Sequence, residues 1–253
     1  MPKSRVQRAA PKIQRLTASA VVRRMRAMGN PKRGEFSERF FKTGSGQYGE
    51  GDRFLGLTVP QIRSASREFR DLPLAEVEKL LESRWHEIRL LALIVLANSY
   101  RRADAATQQQ IYRLYLRRTD RINNWDLVDV SAPNIVGAHL LRRSRAPLRK
   151  LARSKNLWER RIAVVATQHL IQEGQFDDTL DLAELLLGDR EDLMHKAVGW
   201  MLREVGKRDE RRLLVFLEIH AGAMPRTALR YAIERLPPAQ RKYYMARPRT
   251  TRR

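Results

Sequence analysis

The chain contains no cysteine. Disulfides, thiolate-held zinc, iron–sulfur clusters and thiol nucleophiles are excluded together by that absence. Histidine is nearly as scarce. His86, His139, His169, His195 and His220 stand far apart, without spacing of the HExxH kind, so no metal centre is expected. Long apolar runs are missing too: the longest, residues 90–97, is less than half a membrane span, and no membrane partner is expected. The N-terminus lacks the apolar core of a secretory signal, which makes the cytoplasm, in association with the nucleoid, the expected location. Phosphate-cradling GxxxxGK[ST] and GxGxxG loops, a GxSxG elbow and a Ser–His–Asp arrangement are all absent. Their absence argues against nucleotide hydrolysis and acyl transfer.

Negative charge is the remaining deficit. Against 50 Lys and Arg stand only 28 Asp and Glu, which leaves +22 over 253 residues. A compact domain with that charge repels itself, and a polyanionic partner relieves the repulsion. Arg supplies 40 of the 50 cations, and its planar fork suits bidentate phosphate contacts. With 43% hydrophobic residues, the chain is also long enough to bury a sizeable core.

From residue 16 onward the pattern is helical and scarcely pauses. Val77, Leu80 and Leu81 share a face, as do Ile88, Leu91, Ala92 and Val95, and later Val198, Met201, Leu202 and Val205. No stretch sustains period-two alternation. Gly29-Asn30-Pro31 is a helix stop, residues 43–52 with four glycines read as a loop, and Thr58 with Gln61 has capping-box spacing, as has Asn156 with Glu159. The short helices recur in pairs about every 35–40 residues, the rhythm of HEAT or armadillo-type repeats. The expected fold is an all-α helical-repeat solenoid over residues 16–236, with a basic concave face able to cradle a duplex. Basic, acid-free segments at 1–15 and 237–253 are expected to be flexible arms.

Few residues offer chemistry. Trp125 and Asp129 are one helical turn apart, about 5.4 Å along the axis, and share a face. A carboxylate beside an indole in a basic chain is an unusual placement. The competing reading is that Asp126 or Asp129 caps a helix and Trp125 fills core. Gly199, inside a helical pattern, costs about 1 kcal/mol relative to Ala and marks close approach of another helix or a ligand beside Trp200. Trp158 reads as the anchor of a helix start and Trp85 as repeat packing. Arg160 and Arg161 follow a helix start, where backbone N–H groups also favour phosphate, so one of the pair could clamp a phosphodiester.

Taken in order along the chain, the segments FFKT (40–43), GQYGEGD (46–52), FLGLTVP (54–60), NWDLVD (124–129), NLWERR (156–161) and KAVGWMLRE (196–204) resemble the AlkD-like DNA alkylation-repair glycosylases. That family is built of HEAT-like repeats, and the resemblance spans about residues 16–236. It implies a monofunctional, monomeric DNA glycosylase without metal or cofactor. The implied reaction is hydrolysis of the N-glycosidic bond of cationic alkylated purines, such as 7-methylguanine and 3-methyladenine, in duplex DNA, leaving an abasic site. It also implies Asp129 as the catalytic carboxylate, Trp125 and Trp200 as indoles facing the lesion, and Arg161 as a contact to the DNA backbone, with Arg160 and Lys196 as further DNA contacts. At Asn124 the chain departs from members that carry another Trp there. Because inactive members of the family exist, the alternative is a non-catalytic HEAT-repeat protein that binds damaged or branched DNA.

Overall fold

The computed structural model describes residues 16–249, and among these every regular element is helical. The chain opens with α1 (Ala18–Ala27), α2 (Pro31–Phe40) and α3 (Val59–Glu68). Pairs follow: α4 (Leu74–Leu81) with α5 (His86–Arg102), then α6 (Ala105–Arg117) with α7 (Trp125–Ala132). A π turn, Pro133–Gly137, carries α7 into the short α8 (Ala138–Leu140). Pro133 has no N–H to give to the α ladder, and widening by one residue accommodates it. The remaining pairs are α9 (Ala146–Ala152) with α10 (Leu157–Gln172), α11 (Asp177–Leu185) with α12 (Asp192–Arg208), and α13 (Glu210–His220) with α14 (Arg226–Ala232). A last helix, α15 (Pro238–Ala246), closes the described chain.

The second helices of the pairs begin 39, 32, 35 and 34 residues apart, and each packs on the next: α5 on α7, α7 on α10, α10 on α12, α12 on α14. This is an all-α helical repeat. Its ladder of second helices carries the core, with residues 86–97 of α5 and 161–167 of α10 buried without interruption. Buried runs of that length leave no one-sided stripe, because neighbouring pairs cover both flanks of each ladder helix.

Local chemistry accounts for the helix boundaries. Thr58 and Gln61 form the capping box that their spacing predicts, and Asn30 caps α2 ahead of Pro31. At α10 only half of the expected box forms. Asn156 accepts the Trp158 N–H at 2.8 Å, but Glu159 turns away to take the Thr119 hydroxyl at 2.8 Å. Gly199 marks a helix–helix contact: a Cβ there would lie 2.3 Å from the Ala228 carbonyl oxygen and 2.6 Å from Tyr231 Cβ, so α12 and α14 meet backbone to backbone.

Residues 237–249 are not the patternless arm expected from sequence for 237–253, whose last four residues lie outside the described ones. Tyr244 of α15 is buried and donates its hydroxyl to Glu218 at 2.9 Å, while Arg226 donates to the Met245 and Arg247 carbonyls. Tyr244, the half-buried Met245 and a few polar contacts dock this helix, too few apolar positions to make a stripe. The expected arm at 1–15 lies outside the described residues.

Candidate active site

Helix α7 starts at Trp125 because Asn124, itself fully buried, caps it: Asn124 Oδ1 accepts the Trp125 N–H at 2.9 Å. Neither Asp126 nor Asp129 serves as the cap. Asp129, one turn on, faces α10, where Arg161 Nε and Nη2 donate to its two oxygens, each at 2.9 Å. Arg161 Nη1 donates to the Leu193 carbonyl of α12 at 2.6 Å. One guanidinium therefore ties three ladder helices together and fixes the plane of the carboxylate.

The Asp129 side chain keeps 20% of its exposure, against 6% for Arg161. Burial pushes the Asp129 carboxyl above the usual carboxylate range, and Arg161 pulls in the opposite direction. Each Asp129 oxygen accepts once from Arg161, and a carboxylate has lone pairs to spare for a ligand or water.

Arg161, expected to contact the DNA backbone, is turned inward in the structure, where its guanidinium orients Asp129. Arg160 is also engaged, with Asp189 at 2.6 Å and with the Ser154 and Lys155 carbonyls. Lys196 is the most accessible of the three expected DNA contacts. It pairs with Asp192 one turn earlier at 2.8 Å, and that carboxylate holds the ammonium above the usual lysine range.

Trp125 is half-buried. Phe41 stacks on it at 5.4 Å and Phe40 meets it edge-on at 6.4 Å. The loop at 43–52 brings Tyr48 edge-on to Trp158 at 6.1 Å, within electrostatic reach of Asp126 and Lys196. Burial raises the Tyr48 phenol, and the neighbouring Trp125 indole pulls it in the opposite direction. Trp200, also half-buried, sits one turn beyond Lys196 on α12 and donates its Nε1–H to Glu204 at 3.1 Å. The structure thus brings Asp129 and Arg161 together directly, one helical turn from Trp125 on α7. Trp200 stands on a neighbouring ladder helix, without ring contact to Trp125 among the described residues.

Sequence reasoning missed what lies beneath Trp125. The buried His86 ring packs against Phe54 at 4.6 Å and Phe41 at 5.0 Å, and those two rings stack on each other at 4.9 Å. Its Nδ1 contacts Asp52 at 3.1 Å and its Nε2 contacts Asp126 at 2.8 Å. Burial alone would lower this imidazole, but Asp126 and Asp52 outweigh it and raise the group to about 9. Burial would likewise raise Asp52, yet His86 and Arg89, the latter at 2.6 Å, hold it below the usual range. This network pins the end of the loop to α5 and to the first turn of α7. Its members are 34 and 40 residues apart in sequence, so no local pattern announces them.

The adjoining FLGL segment is held by buried Glu87, which accepts the N–H groups of Leu55, Gly56 and Leu57 at 2.9, 2.7 and 3.2 Å. Gly56 has φ +78°, and a Cβ there would fall 2.1 Å from the Asn30 carbonyl oxygen. Only glycine fits. Among the described residues, no cluster of His, Cys, Asp or Glu is arranged to hold a metal ion.

A family model described as DNA alkylation repair enzyme matches residues 21–236. The chain belongs to that family. The matched stretch of this DNA alkylation repair family member includes α7, α10 and α12 and every site residue named above, and membership makes DNA its partner. A solved structure titled predicted DNA alkylation repair enzyme, from Enterococcus faecalis, superposes with a TM-score of 0.66 at 17% identity. The match covers 83% of this chain and 97% of that one, and at such identity it speaks for the fold. No curated protein matches.

Proposed function

We propose that this protein is a monofunctional DNA glycosylase that hydrolyses the N-glycosidic bond of cationic alkylpurines, such as 7-methylguanine and 3-methyladenine, in duplex DNA. The observation that carries the reading is the Asp129 carboxylate, held in one plane by Arg161 and one turn from the half-exposed indole of Trp125.

A purine alkylated at N7 or N3 is already cationic. When the glycosidic bond breaks, its electron pair leaves with the base, which departs neutral without a proton donor. The sugar is left with oxocarbenium character, and a fixed carboxylate stabilises such a cation without reorganising during the reaction. The indole faces of Trp125 and Trp200 add cation–π and CH contacts to the deoxyribose, about 0.5–2 kcal/mol each. Water then adds at C1′ and gives its proton to Asp129 or to solvent. No cofactor or second acid enters the scheme, and the protein acts as a monomer.

The second reading is a non-catalytic protein that binds damaged or branched DNA. The observation favouring it is that both Asp129 oxygens already accept from Arg161. Incubation with methylated duplex DNA, followed by identification of free bases, separates the two. The glycosylase reading expects 7-methylguanine and 3-methyladenine in the supernatant; binding without any released base leaves the second reading. A mechanism without a general acid also expects slow release of neutral lesions, which need protonation to leave. Hypoxanthine released as fast as 7-methylguanine would contradict that mechanism.

A further inference from the structure

His86, the first residue of α5, is a buried titratable group that the proposed chemistry does not use. Both of its ring nitrogens face carboxylates: Nδ1 lies 3.1 Å from Asp52 and Nε2 2.8 Å from Asp126. A neutral imidazole donates from one nitrogen only, and its other lone pair would then oppose a carboxylate oxygen. The geometry therefore calls for the imidazolium, donating on both sides. Arg89, one turn on along α5, bonds Asp52 at 2.6 Å and is the second cation of the cluster.

This cluster grips residues 123–126 at every position except Trp125. Asn123 Oδ1 accepts from Arg89 at 3.2 Å, Asn124 Nδ2 donates to Asp52 at 3.4 Å, and Asp126 accepts from His86 Nε2. Through its other oxygen Asp126 accepts the Leu127 N–H at 2.9 Å, so one carboxylate joins α5 to the first turn of α7. Packing links the same imidazole to the indole, because Phe41 stacks on Trp125 at 5.4 Å and lies 5.0 Å from His86. The two carboxylates are not equally dependent on His86. Asp52 keeps Arg89 and Asn124 as partners, whereas Asp126 has no other side-chain partner among the described residues.

We propose that His86 is a positioning residue for the candidate site, fixing the Trp125 indole in register with Asp129 through the bond from its Nε2–H to Asp126. The consequence for base release rests on the glycosylase reading; the locking of the turn does not. His86 is buried under Phe41 and takes no part in bond cleavage.

Two substitutions separate this role from packing. In His86→Gln the amide nitrogen lies as many bonds from Cα as Nε2 does, and it donates to Asp126. In His86→Asn the amide nitrogen lies as many bonds from Cα as Nδ1 does, and it reaches Asp52 only. Both remove the positive charge and one ring donor. Single-turnover release of 7-methylguanine at saturating protein is measured for each, with duplex affinity and thermal melting alongside. His86→Asn is expected to slow release by about 10- to 100-fold, the scale of a misplaced catalytic group, with duplex affinity little changed. His86→Gln should recover most of that loss. A role in folding alone would move both variants together, so equal release rates in the two, fast or slow, would overturn the proposal. If His86→Asn does not fold, Asp126→Asn at its half-buried position removes the charge that holds the imidazolium, and an unslowed release would overturn the proposal.

Amide exchange supplies a readout that needs no base release. The Trp125 and Val128 N–H groups, bonded to Asn124 at 2.9 and 3.2 Å, should exchange faster in His86→Asn than in His86→Gln, while α12 exchanges alike in both. No difference at these two amides would also overturn the proposal. Duplex binding without base release by the unmodified protein would end the glycosylase reading, and the exchange comparison would still decide whether His86 locks the turn.

Discussion

At Asp129 two requirements oppose each other. A carboxylate that stabilises a sugar cation has to be ionised and shielded from water, yet burial favours its protonated form. Arg161 resolves the conflict by donating twice to the ionised group. An Arg161→Lys variant keeps the charge and loses the fork, so Asp129 is free to rotate. Base release is expected to slow by about 10- to 100-fold, the scale of a misplaced catalytic group. On the proposed mechanism Asp129 acts deprotonated, and in the variant it loses its strongest partner, so the acidic limb of the pH–rate profile should move to higher pH. A slower rate with an unmoved limb would mean that Arg161 supports the fold alone. Trp125 and Asp129 were legible in sequence because a single turn of helix separates them. The bond from Arg161 was not, since nothing in a linear chain marks a partner 32 residues away on the next ladder helix.

Among the elements, α12 and α14 meet backbone to backbone at Gly199. Gly199→Ala would push a methyl against backbone on one side and Tyr231 Cβ on the other, and neither can swing away as a flexible side-chain tip would. The expected cost is about 1–3 kcal/mol, seen as a lower melting temperature. An unchanged melting temperature would show that the helices separate freely. Helices with apolar stripes and side-chain caps, such as α3, were readable from sequence, as was the pairing rhythm. Glu159 illustrates the limit: its spacing from Asn156 fits a capping box, but the Thr119 hydroxyl competes for it, and tertiary competition leaves no trace in spacing. Helix α15 escaped notice for the related reason that Tyr244 and polar contacts dock it.

Over the whole molecule, two buried histidines with opposite shifts shape the pH dependence of stability. His86 is raised to about 9, so its contribution is complete below the unfolded value of 6.5 and is lost as pH rises through 9. His139, between Tyr100 and Tyr112, is lowered to about 4 by burial and Arg143. The neutral form is the one the fold holds, so its contribution is complete above 6.5 and is lost as pH falls toward 4. Thermal stability should therefore peak near neutral pH and fall on both sides. His86→Asn should flatten the alkaline side; a parent protein equally stable at pH 6.5 and pH 9 would contradict the bridging imidazolium. The chemistry proposed for Asp129 is decided by single-turnover release of 7-methylguanine from methylated duplex, compared between the unmodified protein and Asp129→Asn. Asparagine keeps the shape and removes the negative charge, so release should slow by on the order of 10²–10³ while duplex binding persists. Equal rates for the two proteins would contradict the role given to Asp129.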